Sequence, residues 1–233
     1  MKQIRSTCIK PVVGHKICLK CKNYMIKHGK SSEENQRYRC KKCNYTQVEK
    51  YRYKSYESNV NSDIKTLTKE GCSIRSIGRI LGITPMTVIR RILRIANELE
   101  RPFSVVKGRV YQVDELFTYI GNKKRRRCIA YSLEVETGNV IGFVVGSRNK
   151  TNLNKVISTL LLSDAKTITT DKLNIYKELI PKEIHCTKFR GINKIERNNL
   201  SLRTHLKRLN RRSICYSKSI IVLSAILKIY FWS

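Results

Sequence analysis

From Val110 to Tyr119 successive residues alternate as in an extended strand. Gln112, Asp114, Leu116 and Thr118 fall on one face, and Val113, Glu115, Phe117 and Tyr119 on the other. Cys128–Val135 and Val140–Val145 predict two more strands, joined around Thr137-Gly138-Asn139. The basic run Lys123 to Arg127 is expected in the turn region after Gly121-Asn122. Thr151–Leu162 has the spacing of a crossover helix. Thr167–Thr170 is a short β-branched strand with Asp171 at its carboxyl end, and Glu183–Cys186 reads as a fifth strand. A basic helix follows from Asn193 to about Arg211, with Ile195, Leu202, Leu206 and Leu209 as its buried stripe. The apolar run Ile220–Trp232 is too short to span a bilayer and contains Lys228, which makes it a core helix.

Upstream the period changes to three and four. Asn61–Glu70 predicts a helix ending at Gly71. Ser73 caps a second helix that carries Ile74, Ile77 and Leu81 on one face. Gly82-Ile83-Thr84 forms a turn. Thr84 then caps a third helix, with Pro85 in the first position, where a missing N–H costs nothing, running to about Glu100. Val88, Ile89, Ile92 and Leu93 face inward, which leaves Thr87, Arg90, Arg91 and Arg94 on the outside. Short helix, glycine turn and basic helix match the helix-turn-helix plan, whose last helix enters the DNA major groove. A three-helix bundle with a solvated basic face is the plainer alternative. Lys50–Asn61 reads as a linker before these helices, and Arg101-Pro102-Phe103 breaks the chain after them.

The first fifty residues lack periodicity but carry Cys18-x-x-Cys21 and Cys40-x-x-Cys43, eighteen residues apart. Each pair points two thiolates at one centre, and a hairpin over Tyr24–Arg39 brings the pairs together. Four thiolates close a tetrahedral shell with no open position, the chemistry of a structural Zn2+. His15 and His28 lie nearby as reserve ligands. Cys8, Cys72, Cys128, Cys186 and Cys215 stand alone and read as small buried apolar residues. Arg37, Arg39, Lys41 and Lys42 give this ribbon a basic face suited to phosphates. No export signal is visible, so the cysteines are expected in a reducing, cytoplasmic setting.

Charge decides the partner. Lys and Arg number 48 against 17 Asp and Glu, a formal net charge of +31. Self-repulsion of that size calls for a polyanion, and nucleic acid is the natural one. No membrane segment competes with this reading.

The rarer carboxylates then stand out. A carboxylate inside a β-rich strand is expensive unless paired or metal-bound. Alternation alone leaves open whether Asp114 or Glu115 points into the site. Asp171 sits at a strand's carboxyl end, where sites gather in α/β sheets. Glu196 and Arg203, seven residues apart, share one helix face. Three strands, a helix, a strand and a later carboxylate-bearing helix is the element order of a ribonuclease-H-like fold. Phosphodiester chemistry there uses acidic residues to hold two Mg2+ (or Mn2+) ions roughly 3.5–4 Å apart. Oxygen-only sites suit those ions and not zinc.

Three blocks resemble the insertion-sequence-one family of DDE transposases: Val113-Asp114-Glu115-Leu116 with Tyr119-Ile120-Gly121-Asn122-Lys123-Lys124; Thr170-Asp171 with Tyr176-Lys177-Glu178-Leu179-Ile180-Pro181-Lys182-Glu183-Ile184-His185; and Ile195-Glu196-Arg197-Asn198-Asn199-Leu200-Ser201-Leu202-Arg203 with Ser213-Ile214-Cys215-Tyr216-Ser217-Lys218-Ser219. Twenty-four residues separate Asp171 from Glu196, similar to the family's short spacing. The cysteine ribbon and helix-turn-helix extend the match over nearly the whole chain. The resemblance implies Asp114, Asp171 and Glu196 as the catalytic, metal-holding triad. It also implies that Arg203 contacts DNA. Lys124, Arg125 and Arg197 join it as expected phosphate contacts, and Lys207 and Arg208 extend the basic face.

The expected architecture is α+β and multi-domain: a zinc ribbon at residues 1–50, a helix-turn-helix at 58–101 and a ribonuclease-H-like α/β catalytic domain at 107–233. The expected function is metal-dependent DNA cleavage and strand transfer on double-stranded DNA, by a homo-oligomer associated with the nucleoid of a prokaryotic cytoplasm. A non-catalytic DNA-binding regulator and a structure-selective nuclease are the rivals. The ribbon is checked directly by elemental analysis: the purified chain should carry one equivalent of zinc, and a zinc-free, folded chain would remove the ribbon assignment.

Overall fold

A computed structural model of the chain describes residues 16–32, 34–50, 53–188, 191–210, 212 and 214–233. Cys8, His15, Arg211 and Ser213 lie outside the described residues. Two compact units are present, Met1–Glu57 and Ser58–Ser233.

The first unit is an antiparallel three-stranded sheet of β1 (Met25–Lys30), β2 (Gln36–Cys40) and β3 (Thr46–Val48), with Met25 opposite Cys40. The hairpin expected over Tyr24–Arg39 is β1 and β2. Their pairing places Cys40 beside the first cysteine knuckle. Met25, Tyr38 and the sulfurs form the small core, and His28 is exposed on β1.

The second unit opens with α1 (Val60–Lys69), α2 (Ile74–Leu81) and α3 (Pro85–Glu98). The Ser73 hydroxyl accepts from the Ser76 N–H, and the Thr84 hydroxyl from the Thr87 N–H. Gly82, at φ +64°, ends α2 in the left-handed region. Ile95 and Ala96 are buried alongside Val88 and Ile92, while Ile89 and Leu93 are only half-buried. The inward face is rotated from expectation because a distant element covers it: α7 (Ile220–Trp232) packs on α3 and α1 and also on the sheet.

The sheet is mixed and five-stranded. It comprises β4 (Val110–Ile120), β5 (Asn122–Glu134), β6 (Val140–Gly146), β7 (Thr167–Thr169) and β8 (His185–Cys186), ordered β6-β5-β4-β7-β8. The first three strands pair antiparallel; β7 joins β4 in parallel, and β8 joins β7 in parallel. Between them run α4 (Lys150–Leu161) and α5 (Asn174–Leu179), and after β8 comes α6 (Asn193–His205). The element order is the one the sequence predicts, with α5 added.

Two cores cover the two faces of the sheet. Leu116, Ile129, Tyr131 and Leu133 pack with α6, α7 and the first three helices; Tyr111, Val113, Ala130 and Ile168 pack with α4 and α5. The first core is continuous from α1 to the sheet, so residues 58–101 and 107–233 share buried side chains through α7.

Three expectations shift. Lys123–Arg127 is not a turn but the start of β5, with Thr118 opposite Arg127 and Tyr119 opposite Arg126. The turn is Gly121 alone, and five consecutive cations hide the strand because charge on both faces erases alternation. The helix at 193 ends at His205 rather than near Arg211; a 3-10 turn over Lys207–Leu209 carries the stripe on, so Leu206 and Leu209 are still buried. Of the lone cysteines, Cys128 is buried, Cys72 and Cys186 are half-buried, and Cys215 is exposed. Among the described residues no helix is long and apolar enough to cross a membrane.

Gly71 ties the helices to α6. Its φ is +73°, and a Cβ there would lie 2.0 Å from the His205 carbonyl oxygen. Gly71→Ala therefore combines backbone strain with a backbone clash and should cost about 2–4 kcal/mol, a fall in Tm of about 5–15 °C in thermal melts. An unchanged Tm would show that this approach does not exist.

Candidate active site

The site begins with strand register. The β4–β7 ladder pairs Tyr111 with Ile168 and Gln112 with Thr169. Continued two residues further, the same register sets Asp114 beside Asp171, just past the carboxyl end of β7. Asp114 also pairs across β5 with Tyr131, and both face α6. Side-chain alternation therefore turns Glu115 to the α4–α5 face.

Four polar contacts fix α6 over Asp114. The Gln112 amide donates to the Gly191 carbonyl at 2.6 Å and accepts from the Ile195 N–H at 2.8 Å. The Asn199 amide donates to Asp114 Oδ2 at 2.7 Å, and the Tyr131 hydroxyl donates to Asn199 Oδ1 at 2.8 Å. No side chain at Ile192 caps α6, so the Gln112 carbonyl supplies the acceptor that its first turn needs. Glu196 lies in that first turn, exposed, and shares a cavity of about 360 Å³ with Asp171, Thr170 and Asn193.

On the other face the Tyr176 hydroxyl donates to Glu115 Oε1 at 2.7 Å, and Arg148 lies 4.0 Å from Glu115 Oε2. The Glu115 side chain is 3% exposed. The Leu173 N–H donates to Asp171 Oδ1 at 3.0 Å, which turns the chain into α5 and brings Tyr176 back beneath the strand. Carboxylate oxygens of Asp114, Glu115 and Asp171 lie within 4.8 Å of one another. Glu196 stands outside this tight group, across the cavity. The structure thus brings Asp114 and Asp171 together as expected and adds Glu115.

Electrostatics follow from the crowding. Burial, then the charges of Asp171 and Glu196, push the Asp114 carboxyl above its ordinary range against the pull of hydrogen bonds. Burial also raises Glu115, with Asp171 and Asp114 adding to it and Tyr176 opposing. Such a cluster stabilises a cation and, without one, takes up protons. Its donors are all oxygen, which fits a hard divalent ion.

The four cysteines form a second group. Cys18 and Cys43 sulfurs are 3.6 Å apart, Cys21 and Cys40 3.4 Å, and all four lie within 4.8 Å. The Asn23 backbone N–H holds the Cys21 thiol down at about 6. At Cys43 the Tyr45 backbone N–H pulls the same way, but burial and the neighbouring sulfurs prevail and push it up to about 12. An all-sulfur tetrad of this compactness fits zinc.

The expected DNA contacts are spread over separate elements. Arg90 and Arg94 are exposed on α3, and Arg94 pairs with Glu98 at 3.3 Å. Thr87 and Arg91 are half-buried, and Arg91 donates to Asn61. Lys124 and Arg125 are exposed on β5, and Arg197 is exposed on α6 with Arg203 half-buried. Arg208 turns inward to donate to the Ser217 hydroxyl at 3.0 Å. Sequence reasoning passed over Gln112, Tyr131, Tyr176 and Asn199 as site residues. Asn199 was within reach, because it lies on the helix face that Glu196 and Arg203 share.

A mixed sheet that gathers carboxylates at the meeting of two parallel strands and an apposed helix is the arrangement of a DDE-type enzyme. Residues 109–232 match the family model described as IS1 transposase, and the chain belongs to that family. It is similar to the insertion element iso-IS1n protein InsB of Shigella dysenteriae, 32% identical over 111 residues, covering 48% of this chain and 85% of that protein. It is also similar to the insertion element IS1 protein InsB of Shigella sonnei, 34% identical over 109 residues, covering 47% and 83%. Among solved structures it is similar to the HTLV-2 integrase catalytic core domain in complex with magnesium, with TM-score 0.35, 15% identity and coverage of 55% of this chain and 86% of that one.

The raised carboxyls set a pH test. A carboxyl whose pKa is higher folded than unfolded favours the fold below its ordinary range, near pH 4, and loses that contribution as pH rises through the raised value. In protein stripped of divalent cations, Asp114→Asn should raise Tm at about pH 8 by roughly 2–4 °C and give no gain at about pH 4. A gain of equal size at both pH values would show that the Asp114 charge is not the cause.

Proposed function

We propose that the chain binds the terminal repeats of a mobile DNA element, hydrolyses a phosphodiester at each end and directs the freed 3′-hydroxyl against target DNA. The observation that carries this reading is the docking of α6 by Gln112 and Asn199 onto the face of β4 that bears Asp114, with Asp171 in register beside it. Asp114, Asp171 and Glu196 would hold Mg2+ or Mn2+, which supplies activation of the attacking oxygen and neutralisation of the leaving one.

The chain's own groups do the rest. Asn199 and Tyr131 hold Asp114 in one rotamer, so a cation meets a preset oxygen. Tyr176 and Arg148 do the same for Glu115. Thr170 shares a hydrogen bond with His185 Nε2 at 2.8 Å beside Asp171, and burial, then the Lys177 charge, lowers the His185 pKa. Arg197 and Arg203 on α6 and Lys124 and Arg125 on β5 supply phosphate contacts. The cysteine tetrad would hold Zn2+ as a structural ion, and α1–α3 would read the repeat, with Arg90 and Arg94 at the major groove. Joining two element ends calls for a homo-oligomer, working at the nucleoid in the cytoplasm. This reading divides the chain into a ribbon at 1–50, a helix-turn-helix at 58–101 and a catalytic domain at 107–233.

The tight grouping of Asp114, Glu115 and Asp171 favours a second version, in which Glu115 rather than Glu196 completes the triad. A strand-transfer assay with Mg2+ and labelled element ends separates the possibilities. Alanine at Asp114, Asp171 or Glu196 should lower joining about a hundredfold or more with repeat binding intact. Full activity of Glu196→Ala alongside a dead Glu115→Ala would move the triad to Glu115. Wild type that joins ends no better than the triad variants would end the transposase mechanism altogether.

A further inference from the structure

An open cavity of about 260 Å³ lies beside β4, β5 and β6 and is separate from the one that Glu196 borders. Phe117, Arg126, Arg127, Cys128 and the segment 146–148 line it. The register explains the composition: Phe117 pairs with Cys128, and Cys128 pairs with Gly146, so the ring lies under the basic start of β5. The Arg126 guanidinium carbon lies 3.8 Å from the Phe117 ring centroid, and that of Arg148 lies 5.6 Å from it. The Arg148 guanidinium also lies 4.0 Å from the Glu115 carboxylate. Two guanidiniums over one ring repel one another unless an anion joins them. Arg126 is exposed, so the side of its guanidinium away from Phe117 is open to a second flat group.

We propose that this cavity takes one unpaired nucleotide of a DNA strand, its base stacked on the Arg126 guanidinium that Phe117 supports and its phosphate held by Arg148. A flat cation seated on an aromatic ring is a base platform, and it takes a base with one unstacked face, which a paired base inside a duplex lacks. A cavity of about 260 Å³ has room for a single such base. Arg148 connects the platform to the carboxylates, because the guanidinium that meets the phosphate also faces Glu115. A strand anchored here is led from the cavity toward Asp114 and Asp171. The inference rests on the reading that DNA is the substrate, and it adds that the strand is splayed at the site.

Binding of the full chain to two fluorescent probes tests it without any cleavage step: a blunt duplex, and the same duplex with a four-nucleotide unpaired end. Both are measured by anisotropy over a range of salt, without added divalent cation. Wild type should prefer the unpaired end about tenfold. Arg126→Lys keeps the charge but loses the plane, so it should abolish that preference with an unchanged salt slope. Arg148→Gln should lower the salt slope for the unpaired probe by about 0.7 more than that for the blunt probe. Melting curves verify that the variants fold, and Phe117→Leu, which removes the support under Arg126, should match Arg126→Lys. A wild type without preference, or a preference that survives both Arg126→Lys and Phe117→Leu, overturns the proposal. A chain that joins DNA ends yet shows no preference sinks this inference alone. A chain that shows the preference yet joins nothing supports it and sinks the strand-transfer reading.

Discussion

The Gln112 side chain holds the catalytic segment together. Its amide spans the gap between β4 and the start of α6, giving one hydrogen bond to Gly191 and taking one from Ile195. Both partners are backbone, so the contact fixes where the helix starts as well as which side chain it touches. A buried amide with both ends satisfied is costly to move, since any shift leaves polar groups unpaired. From this anchor the rest follows at helical spacing. Glu196 comes one residue after Ile195, and Asn199 one turn on meets Asp114. Leu202 and Leu206 then bury the far end of the segment against the sheet.

That geometry sets the electrostatic problem. Three carboxylates lie within 4.8 Å of one another and Glu196 borders the same site, in a chain whose net charge is +31. Arg148 stands 4.0 Å from Glu115, and Lys172 and Lys188 line the cavity with Asp171 and Glu196. Burial, with the neighbouring carboxylates adding to it, holds Asp114 and Glu115 above their ordinary range. The site is built to receive positive charge, while α3, β5 and α6 carry exposed arginines and lysines. These opposite demands on one chain are what an enzyme acting on a nucleic acid backbone requires.

Much of this was legible in the sequence, and the reason is periodicity. Alternation from Val110 to Tyr119 put Asp114 and Glu115 on opposite faces, as they lie. Ser73, Thr84 and Pro85 marked helix starts through local chemistry that needs no tertiary context. The two cysteine pairs announced their tetrad through spacing alone. What stayed hidden depends on partners distant in the chain. The burial of Ile95 is set by α7, more than a hundred residues away. The roles of Gln112 and Tyr131 exist only because α6 crosses over them. Glu115 entered the carboxylate group through Asp171, just past the end of a neighbouring strand, a juxtaposition that alternation along β4 cannot reveal.

The central claim is that Asp114, Asp171 and Glu196 converge on one divalent site. Mn2+ binding to the full chain, followed by electron paramagnetic resonance of the free ion, reads it without reference to catalysis. The account predicts saturable Mn2+ binding that Asp171→Asn abolishes and Glu196→Gln weakens about tenfold or more. Binding that is indifferent to Glu196→Gln but lost in Glu115→Gln would contradict it.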